Sequence, residues 1–174
     1  MIALVIVPHR ADNQDMDVLF IYGPAASGKY SIGQTVSEQL ELPLFHNHLV
    51  VAAVKVLFDF GTPGFCQLRA DMWLSAFQIA AKHQQSFVFT FHPERTVQPE
   101  LINKLEQVVT SQGGAVHYIE LVCEESQLMQ RLNSQSRQRF GKLTDVDLYH
   151  QVKVEGGFDL LVQRHISQLP KMLP

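Results

Sequence analysis

Charge is scarce in this chain. Only 18% of its residues are charged, and the formal net charge is −3. That balance argues against a broad basic face for nucleic acid or an anionic membrane, although it leaves room for a local basic site. Cysteine is scarcer still. Cys66 and Cys123 are far apart and form no C-x-x-C pair. They read as small buried hydrophobes in a reducing, cytoplasmic compartment. No apolar stretch is long enough to span a bilayer, and there is no internal repeat or low-complexity tract. The opening run, Met1 to Val7, has no basic start and no small-residue cleavage site, and Pro8-His9-Arg10 ends it early. It reads as a strand or an extension rather than a signal peptide.

What is present is an ordinary globular composition. The chain has 174 residues, 46% of them apolar, which suits one domain with a real core. The expected division is an N-terminal extension over 1–16 and a single domain over 17–174.

The chain is organised around Gly23-Pro24-Ala25-Ala26-Ser27-Gly28-Lys29-Tyr30-Ser31. An apolar run, Val18 to Tyr22, precedes it, and Ile32, Val36 and Leu40 follow at helical spacing. Strand, glycine-rich turn, lysine and helix together suit a phosphate. Glycines let backbone N–H groups point at an anion without a side chain in the way. The helix N-terminus adds unpaired donors and partial positive charge. Lys29 supplies a full charge for the outer phosphates. Gly23, Gly28 and Lys29 satisfy the Walker A spacing G-x-x-x-x-G-K, but Tyr30 stands where Ser or Thr is expected. The plainer reading, a chance glycine turn, must account for both glycines, the lysine, the strand and the helix together.

Along the chain, strands are expected at 17–22, 44–46, 86–91 and 115–122. Helices are expected at 28–41, 49–59, 65–84, 97–112 and 124–133, with Gly61-Thr62-Pro63-Gly64 as a break. Residues 134–143 are polar and basic, a further helix is expected from Thr144 to Glu155, and Gly156-Gly157 end it. Alternating strands and helices imply βαβ units: an α/β fold with a parallel sheet of four to five strands and helices on both faces. Ligands bind at the C-terminal strand ends of such sheets. The loop, His46–His48, Thr90–Arg95 and Cys123–Glu125 all fall there.

These features resemble the small-molecule kinase branch of the P-loop proteins, which holds adenylate kinase and shikimate kinase. Lys29-Tyr30-Ser31 is similar to the offset adenylate kinase pattern, in which the hydroxyl comes one residue later. Phe60-Gly61 through Phe65 to Leu68-Arg69 resembles that branch's Gly…Phe-Arg substrate segment. The Arg131–Arg139 stretch resembles its arginine-bearing lid, here about 134–143. Gly23 to Lys29 together with Leu44-Phe45-His46-Asn47-His48 is most similar to bacterial shikimate-kinase-like or nucleoside-kinase-like ATPases.

The resemblance implies a three-layer P-loop kinase fold with a short lid, and a kinase using ATP and Mg²⁺ on a nucleoside, nucleotide or shikimate-like acceptor. Gly23, Ala25, Ala26, Ser27, Gly28, Lys29, Tyr30, Ser31 and Arg131 would hold the nucleotide. Ser31, or water in its place, would meet the metal. His46, His48 and Arg69 would contact the acceptor, and Lys29, Arg137 and His46 would act in catalysis. Plainer readings stand beside these: loop hydrogen bonds for the histidines, an ion pair for Arg69 and a solvated basic loop for the arginines. Shikimate kinases carry an aspartate pair where His46-Asn47-His48 stand, so shikimate itself does not follow. The fifth strand, expected from Phe158–Val162 or from Ile2–Val7, has no clear signature. The rival reading is a nucleotide-binding protein without phosphotransfer. No nucleic-acid or membrane partner is expected.

Overall fold

The computed structural model describes residues 16–94 and 96–132. Arg95, Arg137 and Arg139, the expected lid at 134–143, the helix from Thr144, and both candidates for a fifth strand lie outside the described residues.

The described chain alternates strand and helix from end to end. The order is β1 (Asp17–Tyr22), α1 (Lys29–Leu40), β2 (Leu44–His46), α2 (Asn47–Val54) and α3 (Pro63–Lys82). Then come β3 (Phe87–Phe91), α4 (Pro99–Thr110), β4 (Ala115–Glu120) and α5 (Glu125–Leu132). The four strands form one sheet in the order β2-β3-β1-β4, and every pairing is parallel. Helices cover both faces, as a parallel sheet requires when crossovers link its strands.

The two-residue period of the strands separates two cores. Val18, Phe20 and Tyr22 of β1 share one face with Phe87, Phe89 and Phe91 of β3, and pack on Trp73 and Phe77 of α3 and Leu105 of α4. Ile21, Val88 and Ile119 face the other way, toward Ile32 and Val36 of α1. Trp73 and Phe77 are completely buried, and each stands edge-on to Phe89. Burying side chains of this size stabilises by about 1.5–3 kcal/mol each. Met16, which the sequence places in the extension, is buried here too, and its carbonyl accepts from Ala115 N at 2.8 Å.

Two helix boundaries differ from the sequence expectation. The spacing of Val50, Val54, Leu57 and Phe58 suggests a helix to 59, but α2 ends at Val54. Only Val50 and Val54 are buried, while Val56 and Leu57 face solvent, so no core holds a further turn in place. Conversely, Pro63 and Gly64 are not a break but the first turn of α3. Thr62 caps that helix by accepting from Phe65 N, and proline suits its first position, where an N–H has no helical partner. A Cβ on Gly64 would lie 2.6 Å from the Phe58 ring, so glycine lets that ring lie against the helix start. Cys66 and Cys123 are both free and only partly buried. Among the described residues, no helix is long and apolar enough to cross a membrane.

Candidate functional site

The sheet delivers the 23–28 turn to the middle of its C-terminal edge, between the ends of β3 and β4. Gly23 has φ 150° and Gly28 φ 94°. A Cβ on Gly23 would stand 2.6 Å from the Leu121 carbonyl oxygen, so the turn depends on glycine there. At Gly28, a Cβ would meet only Arg131 Nη1, at 3.8 Å. Arg131 of α5 therefore reaches the start of α1. It does so because Leu128 and Leu132 pack on Ala25 and Ala26 and clamp α5 over the turn.

Lys29 folds back across the turn. Its Nζ donates to Gly23 O at 2.8 Å, to Pro24 O at 2.6 Å and to Ser27 Oγ at 3.4 Å. The ammonium thus sits at the mouth of a ring of backbone groups. No acidic residue occupies the first turn of α1, so its positive end is not offset from within the helix. A glycine-lined cradle, a helix N-terminus and two cations, Lys29 and Arg131, fit a polyphosphate.

The fit for a chain-held metal is poorer. Tyr30, at the usual hydroxyl position, turns its ring edge-on to His46, with centroids 5.0 Å apart. Ser31 is exposed in the first turn of α1. Among the described residues, no group of three or more His, Cys, Asp or Glu side chains could hold a metal ion.

On a strand, His46 and His48 would share a face. Instead β2 ends at His46, and His48 belongs to the first turn of α2. Their rings are 6.3 Å apart and tilted by 57°. What the structure brings together is Tyr30, His46 and His48.

Arg69 is placed differently. It is 1% exposed and forms a buried ion pair with Glu94. Its Nη2 donates to the Thr96 carbonyl at 2.7 Å and to Thr96 Oγ1 at 3.1 Å. The guanidinium lies 5.1 Å from the Phe65 ring and 5.2 Å from the Trp73 ring. Most of its donors are thus spent inside the protein, and only the buried Nε lacks a partner among the described residues. The bond to Glu94 and Thr96 fastens α3 to the segment after β3. That segment also carries His92, whose Nδ1 lies 3.2 Å from Gly23 O.

Two residues carry no motif and escape a reading of the sequence. Tyr22 and Glu120 end β1 and β4, and they are register partners. Burial, and then the nearby Glu120 carboxylate, push the Tyr22 hydroxyl well above the usual tyrosine range. Glu120 also lines a cavity of about 220 Å³, with Pro24, His92, Pro93 and Leu121 to Cys123. The available signal was an acid at the last position of the strand.

No family model matches the sequence, and no curated protein matches it either. Solved structures do match. One is a protein designated a kinase from Chloroflexus aurantiacus, 18% identical, with a TM-score of 0.58 over 78% of this chain and 75% of the other. A second is a gluconokinase from Sinorhizobium meliloti 1021, 17% identical, with a TM-score of 0.52 over 82% of this chain and 75% of the other. The chain has the P-loop kinase fold. Within that fold the 23–31 turn follows β1 at the C-terminal edge of the sheet and leads into α1.

Proposed function

We propose that this protein is an ATP-dependent phosphotransferase that moves the γ-phosphoryl group to a small-molecule acceptor, of nucleoside, nucleotide or shikimate-like type. The observation that carries the reading is the loop: Lys29 Nζ lies on the carbonyls of Gly23 and Pro24 at the N-terminus of α1. Bound phosphate would exchange those carbonyl contacts for charge-assisted ones. Phosphoryl transfer needs little covalent help from a protein. It needs positioning and neutralisation of charge on the transferring group. Loop amides and Lys29 supply these for the β- and γ-phosphates. Arg131, beside Gly28, adds a second cation, and Arg137 of the expected lid would add another. Mg²⁺ enters as the Mg–ATP complex, with Ser31 or water completing its shell. His46 and His48 stand on the far side of Tyr30, where an acceptor contact or a base would be placed. The gluconokinase likeness adds sugar acids to the acceptors worth offering.

The test is calorimetric titration of the full chain with Mg–ATP, followed by ADP release with adenosine, AMP, shikimate and D-gluconate. Wild type is expected to bind Mg–ATP and to turn over with at least one acceptor, and Lys29→Ala is expected to lose both. Binding without any turnover would replace the kinase with a nucleotide-binding protein. Equal affinity and activity in Lys29→Ala would remove the phosphate-loop assignment.

A further inference from the structure

Gly23 O is held from two directions. Lys29 Nζ donates to it at 2.8 Å, and His92 Nδ1 lies 3.2 Å away. A carbonyl oxygen only accepts, so the imidazole carries its proton on Nδ1 and donates. The sheet explains why a side chain makes this bond. Tyr22 O accepts from Leu121 N, toward β4. Carbonyls alternate in direction along a strand, so Gly23 O addresses β3. On β3, Val88 N donates to Pro43 O, toward β2. The N–H groups that address β1 therefore belong to Phe89, Phe91 and, next in turn, position 93. That position is proline and has no N–H. Tyr22 and Phe91 are the last register partners of β1 and β3. His92 follows directly, and its ring nitrogen supplies the donor that the ladder lacks.

We propose that His92 is a positioning residue of the 23–31 turn, holding Gly23 O in place while nucleotide phosphate engages Lys29. The proposal rests on the phosphate-loop reading and deepens it. Without nucleotide, Gly23 O has both donors. Once Lys29 Nζ turns to a phosphate, it leaves Gly23 O and Pro24 O. Gly23 is buried, and a buried acceptor stripped of its donor carries its desolvation penalty in full. His92 removes that penalty from the bound state, so Lys29 is released to the phosphate more readily.

The support comes from outside the turn. On the β4 side, Leu121 closes in on Gly23, where a Cβ would stand 2.6 Å from the Leu121 carbonyl oxygen. On the β3 side, Glu94 and Thr96 come just after His92 and are tied to Arg69 of α3. Thr96 Oγ1 also donates to Glu94 Oε1 at 2.9 Å. His92 is thus presented by a segment fastened to α3, not by the turn that it steadies. A movement of Lys29 need not disturb it.

Calorimetric titration of the full chain with Mg–ATP tests this, with a thermal melt of each variant to show that it is folded. His92→Leu removes the donor and is expected to weaken Mg–ATP binding about tenfold. His92→Asn sets an amide N–H near the position of Nδ1 and is expected to stay within about threefold of wild type. Pro93→Ala restores the ladder N–H, so His92→Leu/Pro93→Ala is expected to recover most of the affinity that His92→Leu loses. A merely structural role for His92 would not be rescued by changing its neighbour. In wild type above neutral pH, long-range ¹H–¹⁵N correlation of the His92 ring is expected to show the proton on Nδ1, a measurement that needs no variant to fold. Wild-type affinity in a folded His92→Leu protein, no recovery in the double variant, or a proton on Nε2 would each overturn the proposal and leave the phosphate-loop reading standing. Failure of wild type to bind Mg–ATP would overturn both.

Discussion

Glu94→Ala should be far more damaging than Arg69→Met, although both break the same ion pair. Arg69 is 1% exposed and Glu94 16%. Removing the carboxylate strands a guanidinium between the Phe65 and Trp73 rings, where solvent cannot reach it. Among the described residues, its remaining hydrogen bonds are to Thr96 alone. Orphaning a buried charge in this way costs about 3–5 kcal/mol. Removing the arginine instead leaves a carboxylate that water can reach, and methionine keeps much of the packing. That change should cost about 1–3 kcal/mol. For a chain of this size, ~2–4 °C of melting temperature accompanies each kcal/mol, so Glu94→Ala should melt roughly 6–20 °C below wild type. Trp73, the single tryptophan, touches the pair and reports unfolding directly. Urea titrations followed by its fluorescence give the four corners of a double-mutant cycle. The pair should show a coupling of about 1–3 kcal/mol. Additive effects, or a Glu94→Ala loss no larger than that of Arg69→Met, would refute the assignment of Arg69 as an internal strut.

Two further outcomes test the packing and the titration of the sheet. Gly33→Ala improves helix propensity by about 1 kcal/mol, yet its Cβ would stand 2.8 Å from Thr90 Cγ2 and 3.1 Å from Leu44 Cδ1. The overpacking should win by ~1–3 kcal/mol, seen as a lower urea midpoint; a gain in stability would show that α1 can move off the sheet freely. Tyr22 and Tyr118 are both held above the ordinary tyrosine value of 10.0, first by burial and then by Glu120 and Glu106 respectively. The unfolded chain therefore loses those protons first, so stability is complete below about pH 10 and falls as pH rises beyond it. Urea midpoints from pH 8 to 11 should show that fall, and it should shrink in Tyr22→Phe/Tyr118→Phe; an identical pH dependence in the double variant would contradict it.

Much of the architecture was legible because local chemistry and tertiary position agree. Val18 to Tyr22 is apolar on both faces and becomes a central strand. The run at Phe87–Phe91 does the same. Boundaries were legible only where a core enforces them. Leu57 continues the helical spacing of Val50 and Val54, but nothing packs on it, and the helix stops. Pro63-Gly64 looks like a break in isolation, whereas Thr62 and the Phe58 ring make it a helix start. Arg69 illustrates the limit for the site. An arginine on an apolar helical stretch suggests a ligand contact, and only its long-range neighbours Glu94 and Thr96 reveal an internal bond.

The sequence by itself determined the unit of strand, glycine turn, lysine and helix, because these residues are contiguous and their spacing is a local property. It also determined the alternation that makes the sheet parallel. Tertiary structure alone decided what surrounds the loop. Tyr22 and Glu120 are far apart in sequence and meet only because β1 and β4 are hydrogen-bonded in register. Arg131 reaches Gly28 only because α5 packs on Ala25 and Ala26. A turn built from consecutive residues can be read along one dimension, whereas the groups that approach it from other strands and helices are brought there by the fold.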